Sequence, residues 1–230
     1  MRLSNRSAAR PYGSQESGQA FGTALGLTAA CVIVAYAAAW LGEGLIRRSD
    51  RAEAVFFVAL IAATIALAGA PRRRTLALKP LRLDRTAVLY GVAVLVLLAA
   101  EALAVLLGPS GRLQDLLAQA RAEAGLVGAV NAVLLAPIGE ELLFRGLLFT
   151  RLREVLGAFA AVAVSAAAFA AFHAEHGIGY VASMIPAGLF LGFAREHSGG
   201  IALPMLLHAV MNGAAIAAGL VLTAWPRLLA

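Results

Sequence analysis

The chain has 230 residues, 61% of them hydrophobic and only 14% charged, with a net charge of +6. A soluble domain carries about 25% charged residues, so this composition excludes a soluble protein and indicates a polytopic membrane protein. The basic residues are almost all arginines and cluster between apolar runs instead of tracking a groove, which argues against nucleic-acid binding and makes them determinants of topology. The single cysteine, Cys31, leaves no intrachain disulfide framework or cysteine metal site, and reads as a small buried residue.

Residues 1–19 form a polar N-terminal tail with Arg2, Arg6 and Arg10. The apolar run after it is too long for a signal-peptide core, so it is expected to stay as an uncleaved anchor. Runs near the roughly 20 residues needed to cross a bilayer follow. They lie at 20–42, 52–70, 87–107, 126–150, 156–174, 178–195 and 201–223. In hydrocarbon every backbone N–H and C=O must be satisfied internally, and runs of this length suit helices better than barrel strands. The expected fold is all-α: a transmembrane helix bundle of about seven spans, or eight if the last run breaks.

The connection from Pro71 to Arg85 carries six positive charges against Asp84 alone, the strongest cytoplasmic signal in the chain. Summed over alternate sides, 13 Lys and Arg fall on the side of the N-terminus and 6 on the other, which places the N-terminus in the cytoplasm of a bacterial inner or plasma membrane. Gly111 to Ala122 puts Leu113, Leu116 and Leu117 on one helical face and reads as an interfacial helix. Residues 20–125 are thus N-terminal transmembrane helices with an interfacial helix, and 126–230 a helical core. Gly188 and Gly192, four apart, permit close helix approach. Pro137 and Pro186 fall within spans and are expected to kink them.

Within that core the polar residues are few. Fourteen residues from Leu126 to Gly139 carry no charge, and then Glu140 and Glu141 stand side by side. Ionisable groups at such depth cost about 2.5–3.5 kcal/mol each on insertion scales, so they pair, face a wet cavity or do chemistry. Glu141 and Arg145 are four apart in the favourable order and should pair, leaving Glu140 turned about 100° away. Phe169 and His173 share a face of the next span, as do His208 and Asn212 of the last. With a turn near Gly157, Glu140 and His173 are 17 and 16 residues from it, both about 25 Å above the turn. His208 stands only about 15 Å above its own turn at Ser198 and needs helix tilt or offset to join them.

A carboxylate and an imidazole in a desolvated pocket can activate one water, and a second imidazole with a carboxamide can stabilise an oxyanion. Those are the parts for amide hydrolysis. Neither a serine nucleophile elbow nor an adjacent aspartate pair is present.

These three pairs resemble the ordered motifs E-E-x-x-x-R, F-x-x-x-H and H-x-x-x-N of the CPBP family, the CAAX prenyl-protease-like and bacteriocin-processing intramembrane proteases. The resemblance covers about residues 126–223. It implies that Glu140 and His173 activate water, that His208 and Asn212 stabilise the oxyanion, and that Glu141, Arg145 and Phe169 support them. It also implies a glutamate-type mechanism without a cofactor, acting on a membrane-associated peptide or protein. Three alternatives stay open: a zinc-dependent protease with Glu140, His173 and His208 as ligands, a non-catalytic scaffold or regulator, and a small transporter lined by Glu101, Glu140 and the histidines.

Overall fold

A computed structural model describes residues 14–46, 49–107, 114, 117–118 and 125–224. The expected interfacial helix over Gly111–Ala122 falls, apart from residues 114, 117 and 118, outside the described residues, as does most of the polar tail. The architecture is all-α. In chain order the helices are α1 (Ser14–Ile46), α2 (Ser49–Leu67), the short α3 (Arg72–Thr75), α4 (Arg85–Leu107), α5 (Leu126–Leu156), α6 (Ala158–Phe172), α7 (Ile178–Ser198) and α8 (Ala202–Ala224). The chain is a multi-pass membrane helix bundle.

The expected count of seven or eight spans is corrected by the helices themselves. Among the described residues four are long and apolar enough to cross a membrane: Gln15–Gly42 within α1, and α5, α7 and α8. Apolar runs in sequence do not show where a helix starts or which charges it takes with it. Helix α2 opens on Ser49 and so carries Asp50, Arg51 and Glu53 in its first turns. Helix α6 has only 15 residues, about 22 Å against some 30 Å of hydrocarbon. Helix α4 is a shorter apolar helix over Arg85–Ala100.

Apolar side chains face outward over much of the bundle, among them Ile33 on α1, Val88, Leu95 and Val96 on α4, and Leu220 on α8. Such a surface is stable against lipid and not against water. Helix α5 is the central element: over its most apolar stretch 56% is buried, against 22–28% for the other three spanning helices. Phe57, Leu60, Leu143, Phe144, Leu147, Leu148, Phe169 and Cys31 join one core around it.

Two wide π-helical stretches, Asn131–Leu135 and Glu141–Leu148, interrupt α5. Pro137 follows the first of them. With no N–H to offer the preceding turn, it sits where the hydrogen-bond ladder has already changed register.

The turns fall where the small residues are. Gly157, at φ +79°, joins α5 to α6, and Gly199, at φ +67°, closes α7. Between α3 and α4 the chain dips into the bundle, burying Leu76 and Ala77. The N–H of Ile201, at the start of α8, donates to the Ala77 carbonyl at 3.3 Å.

Gly188 and Gly192 do bring α6 and α7 together. A Cβ on Gly188 would lie 3.1 Å from both backbone and side-chain atoms of Ala166, and one on Gly192 would lie 3.0 Å from Val162 Cγ1. The Ala166 backbone cannot rotate away, whereas the Val162 side chain can. Gly188→Ala is therefore expected to lower the unfolding temperature in detergent more than Gly192→Ala, and an equal or reversed order would contradict this packing.

Candidate active site

Arg145 lies at the centre of the bundle and is fully buried, as is Glu141. Its Nη1 donates to Glu141 Oε1 at 2.9 Å. Its Nη2 donates to the Gly188 carbonyl on α7 at 2.9 Å, and its guanidinium lies 4.4 Å from the Phe169 ring centre on α6. One side chain thus ties α5, α6 and α7 together. A guanidinium at this depth is tolerated because its charge, its donors and its flat face all find partners.

The same carboxylate oxygen receives a second group: His208 Nδ1 stands 3.0 Å from Glu141 Oε1. A buried histidine–glutamate pair therefore joins α5 to α8. The carboxylate accepts, so Nδ1 carries the proton and Nε2 is turned to other partners. His208 reaches this depth although its helix starts late. The buried Leu76–Ala77 segment lies against the start of this helix, where Ala77 accepts from the Ile201 N–H.

Phe169 is the aromatic hub. Its ring lies 5.0 Å from that of His173, 5.8 Å from that of His208 and 5.6 Å from that of Phe144. His173 is the residue on which α6 ends. Its Nδ1 is 2.9 Å from the Phe169 carbonyl. A carbonyl only accepts, so Nδ1 holds a proton, and in the neutral form of the ring Nε2 presents a lone pair.

Glu140 is buried beside this group and interacts electrostatically with His208, His173, Glu141 and Arg145. Its Oε2 has no hydrogen-bond partner among the described residues. Asn212 lies one turn beyond His208 and donates through Nδ2 to the Ala132 carbonyl at 2.8 Å. That leaves its second N–H, while its contact is with α5 backbone and not with another motif side chain. The Glu101 side chain lies outside those described. No group of three or more His, Cys, Asp or Glu among the described residues is arranged to hold a metal ion.

The wide stretches of α5 carry further contacts that the motif pattern does not reveal. Ser165 on α6 donates to the Phe144 carbonyl at 3.0 Å, and Arg195 Nε on α7 donates to the Arg145 carbonyl at 3.0 Å. Arg195 also reaches Thr150 Oγ1 at 3.2 Å and stands over the Phe149 ring. A widened helix presents carbonyls sideways, and here side chains of the neighbouring helices take them up. The sequence signal for Arg195 is its place after Val181–Ala194, a stretch with no charge.

Residues 122–214 match the family model for Type II CAAX prenyl endopeptidase Rce1-like proteins. A CPBP/Rce1-like CAAX protease family domain is thus detected over this part of the chain. It contains Glu140, Glu141, Arg145, Phe169, His173, His208 and Asn212, while α1 to α4 lie outside the match. No curated protein matches the chain, and no solved structure does.

Within the CAAX-protease-type domain, the Glu141–Arg145 pair makes a sharp prediction about stability. Removing one partner of a buried pair leaves an uncompensated charge and costs about 3–5 kcal/mol. Arg145→Leu is expected to destabilise on that scale, and adding Glu141→Leu to cost less than the sum of the two single changes. Denaturation in detergent measures both; strict additivity would contradict the coupling.

Proposed function

We propose that the protein is an intramembrane endopeptidase of glutamate type. The reading rests above all on Glu140: a buried carboxylate with a free Oε2, beside two imidazoles whose Nδ1 atoms are both anchored. Water between Glu140 and His173 Nε2 gives a proton to Glu140, and its oxygen attacks the carbonyl carbon of a peptide bond. The carbonyl becomes an oxyanion that accepts from the remaining N–H of Asn212 and, in the doubly protonated form of the ring, from His208 Nε2–H. When the C–N bond breaks, the proton held by Glu140 passes to the leaving nitrogen.

Glu141 has two tasks in this scheme. It holds His208 in place through Nδ1, and it neutralises Arg145. Preorganised donors of this kind add most in a site that excludes water.

The substrate is a membrane-associated peptide or protein, in keeping with the peptide-cleaving activity that the matched family's name describes. In this reading the arginine-rich connection from Pro71 to Arg85 faces the cytoplasm, and Glu140 and His173, far along the chain from Arg151 and Arg153, lie nearer the outer face. With that orientation the substrates are exported or membrane-anchored chains, such as C-terminal sorting tails or bacteriocin-like peptides, and not cytosolic prenylated proteins.

General acid–base groups contribute roughly 10²–10⁴-fold each. Glu140→Ala and His173→Ala are each expected to reduce cleavage by that factor while the protein stays folded, and turnover at the wild-type rate in both would refute the assigned roles. A chelator is expected to leave the rate unchanged. Stoichiometric zinc in the purified protein, with chelator-sensitive turnover, would replace this scheme by the one in which Glu140, His173 and His208 are ligands.

A further inference from the structure

The buried segment between α3 and α4 lies outside the family match, yet it touches both helices that supply the Glu141–His208 pair. Leu76 is fully buried. Its backbone rests on Gly146 of α5 so closely that a Cβ there would stand 3.3 Å from the Leu76 carbonyl oxygen. The next residue, Ala77, takes the N–H of Ile201 on its carbonyl, and a Cβ on Gly200 would stand 3.0 Å from Lys79 Cβ. Ala77 adopts φ +50°, a left-handed conformation that a residue with a Cβ keeps only where its surroundings over-determine it.

From this segment the two helices run towards the site in opposite chain directions. Glu141 is five residues back from Gly146 and His208 seven residues on from Ile201, so the segment bears on each helix within about two turns of the pair. By touching Gly146 and Ile201 at once it couples the position of α8 along its axis to that of α5.

We propose that Leu76 and Ala77 form a wedge that sets the height of α8 against α5, and that they are positioning residues for the Glu141–His208 pair. The wedge itself follows from packing; only its catalytic consequence rests on the protease reading. Neither residue touches the reacting groups, and each acts through the helix it supports. Misplacement by about 1 Å can cost on the order of a hundredfold in rate, so a small change in the wedge is read at the imidazole.

The test uses the full-length protein in detergent, with ¹⁵N-labelled histidine, and compares Leu76→Val and Gly146→Ala with wild type. Both changes are small enough to keep the fold, and Leu152→Ala, a buried truncation at the far end of α5, controls for general loosening. The expected result is that the His208 Nδ1 resonance moves towards that of a solvated imidazole in both wedge variants and stays in place in the control. In a cleavage assay the wedge variants are expected to lose about tenfold or more in kcat with KM within about twofold, and to show a displaced pH profile. An unmoved resonance in either folded wedge variant, or an equal movement in the control, overturns the proposal. Wild type that shows no turnover while the resonance responds as expected removes the protease reading and leaves the wedge. Normal turnover with an unresponsive resonance does the reverse.

Discussion

The structure depends on a full positive charge placed where no water reaches. Arg145 is held by a carboxylate, a carbonyl and an aromatic face, drawn from its own helix and two others. Removing any of the three leaves a guanidinium short of compensation at a depth where that is costly. The constraint explains why Gly188 must be small: its carbonyl has to reach Arg145 while its α-carbon lies against Ala166. It also explains why Phe169 stands where it does, with Arg145 on its face and two imidazoles around it.

The widened course of α5 follows the same logic. A regular helix keeps its carbonyls for its own N–H groups, so it cannot offer them to neighbours. The stretches around Ala132 and around Phe144 and Arg145 offer three, and Asn212, Ser165 and Arg195 accept the offer from α8, α6 and α7. In a bundle without hydrophobic drive between helices, such polar ties and close packing carry the specificity of association. The site is therefore built of backbone as much as of side chains.

Much of the site was legible because its chemistry is sparse. In a chain this apolar, Glu141 with Arg145, Phe169 with His173 and His208 with Asn212 stand out, and i,i+4 spacing correctly pairs the first two and stacks the next two. Three things were not legible. The span count failed because helix boundaries depend on tertiary contacts, as at α2 with its charged opening and α6 with its early end. The meeting of His208 with Glu141 was not legible, because residue counting assumes level turns and untilted helices and shows nothing of what packs against the start of α8. Arg195 did not stand out, because nothing local distinguishes an arginine that finds a carbonyl inside from one that finds water outside.

Helix α6 has a consequence of its own. It carries Phe169 and ends on His173 after 15 residues, several ångströms short of the hydrocarbon around it. A helix shorter than its bilayer draws the headgroups towards itself or leaves a dimple where they would have been. A dimple over α6 would bring that polar boundary towards His173, on which the helix ends. An imidazole so placed would draw its water from the headgroup layer, with no channel cut through the bundle.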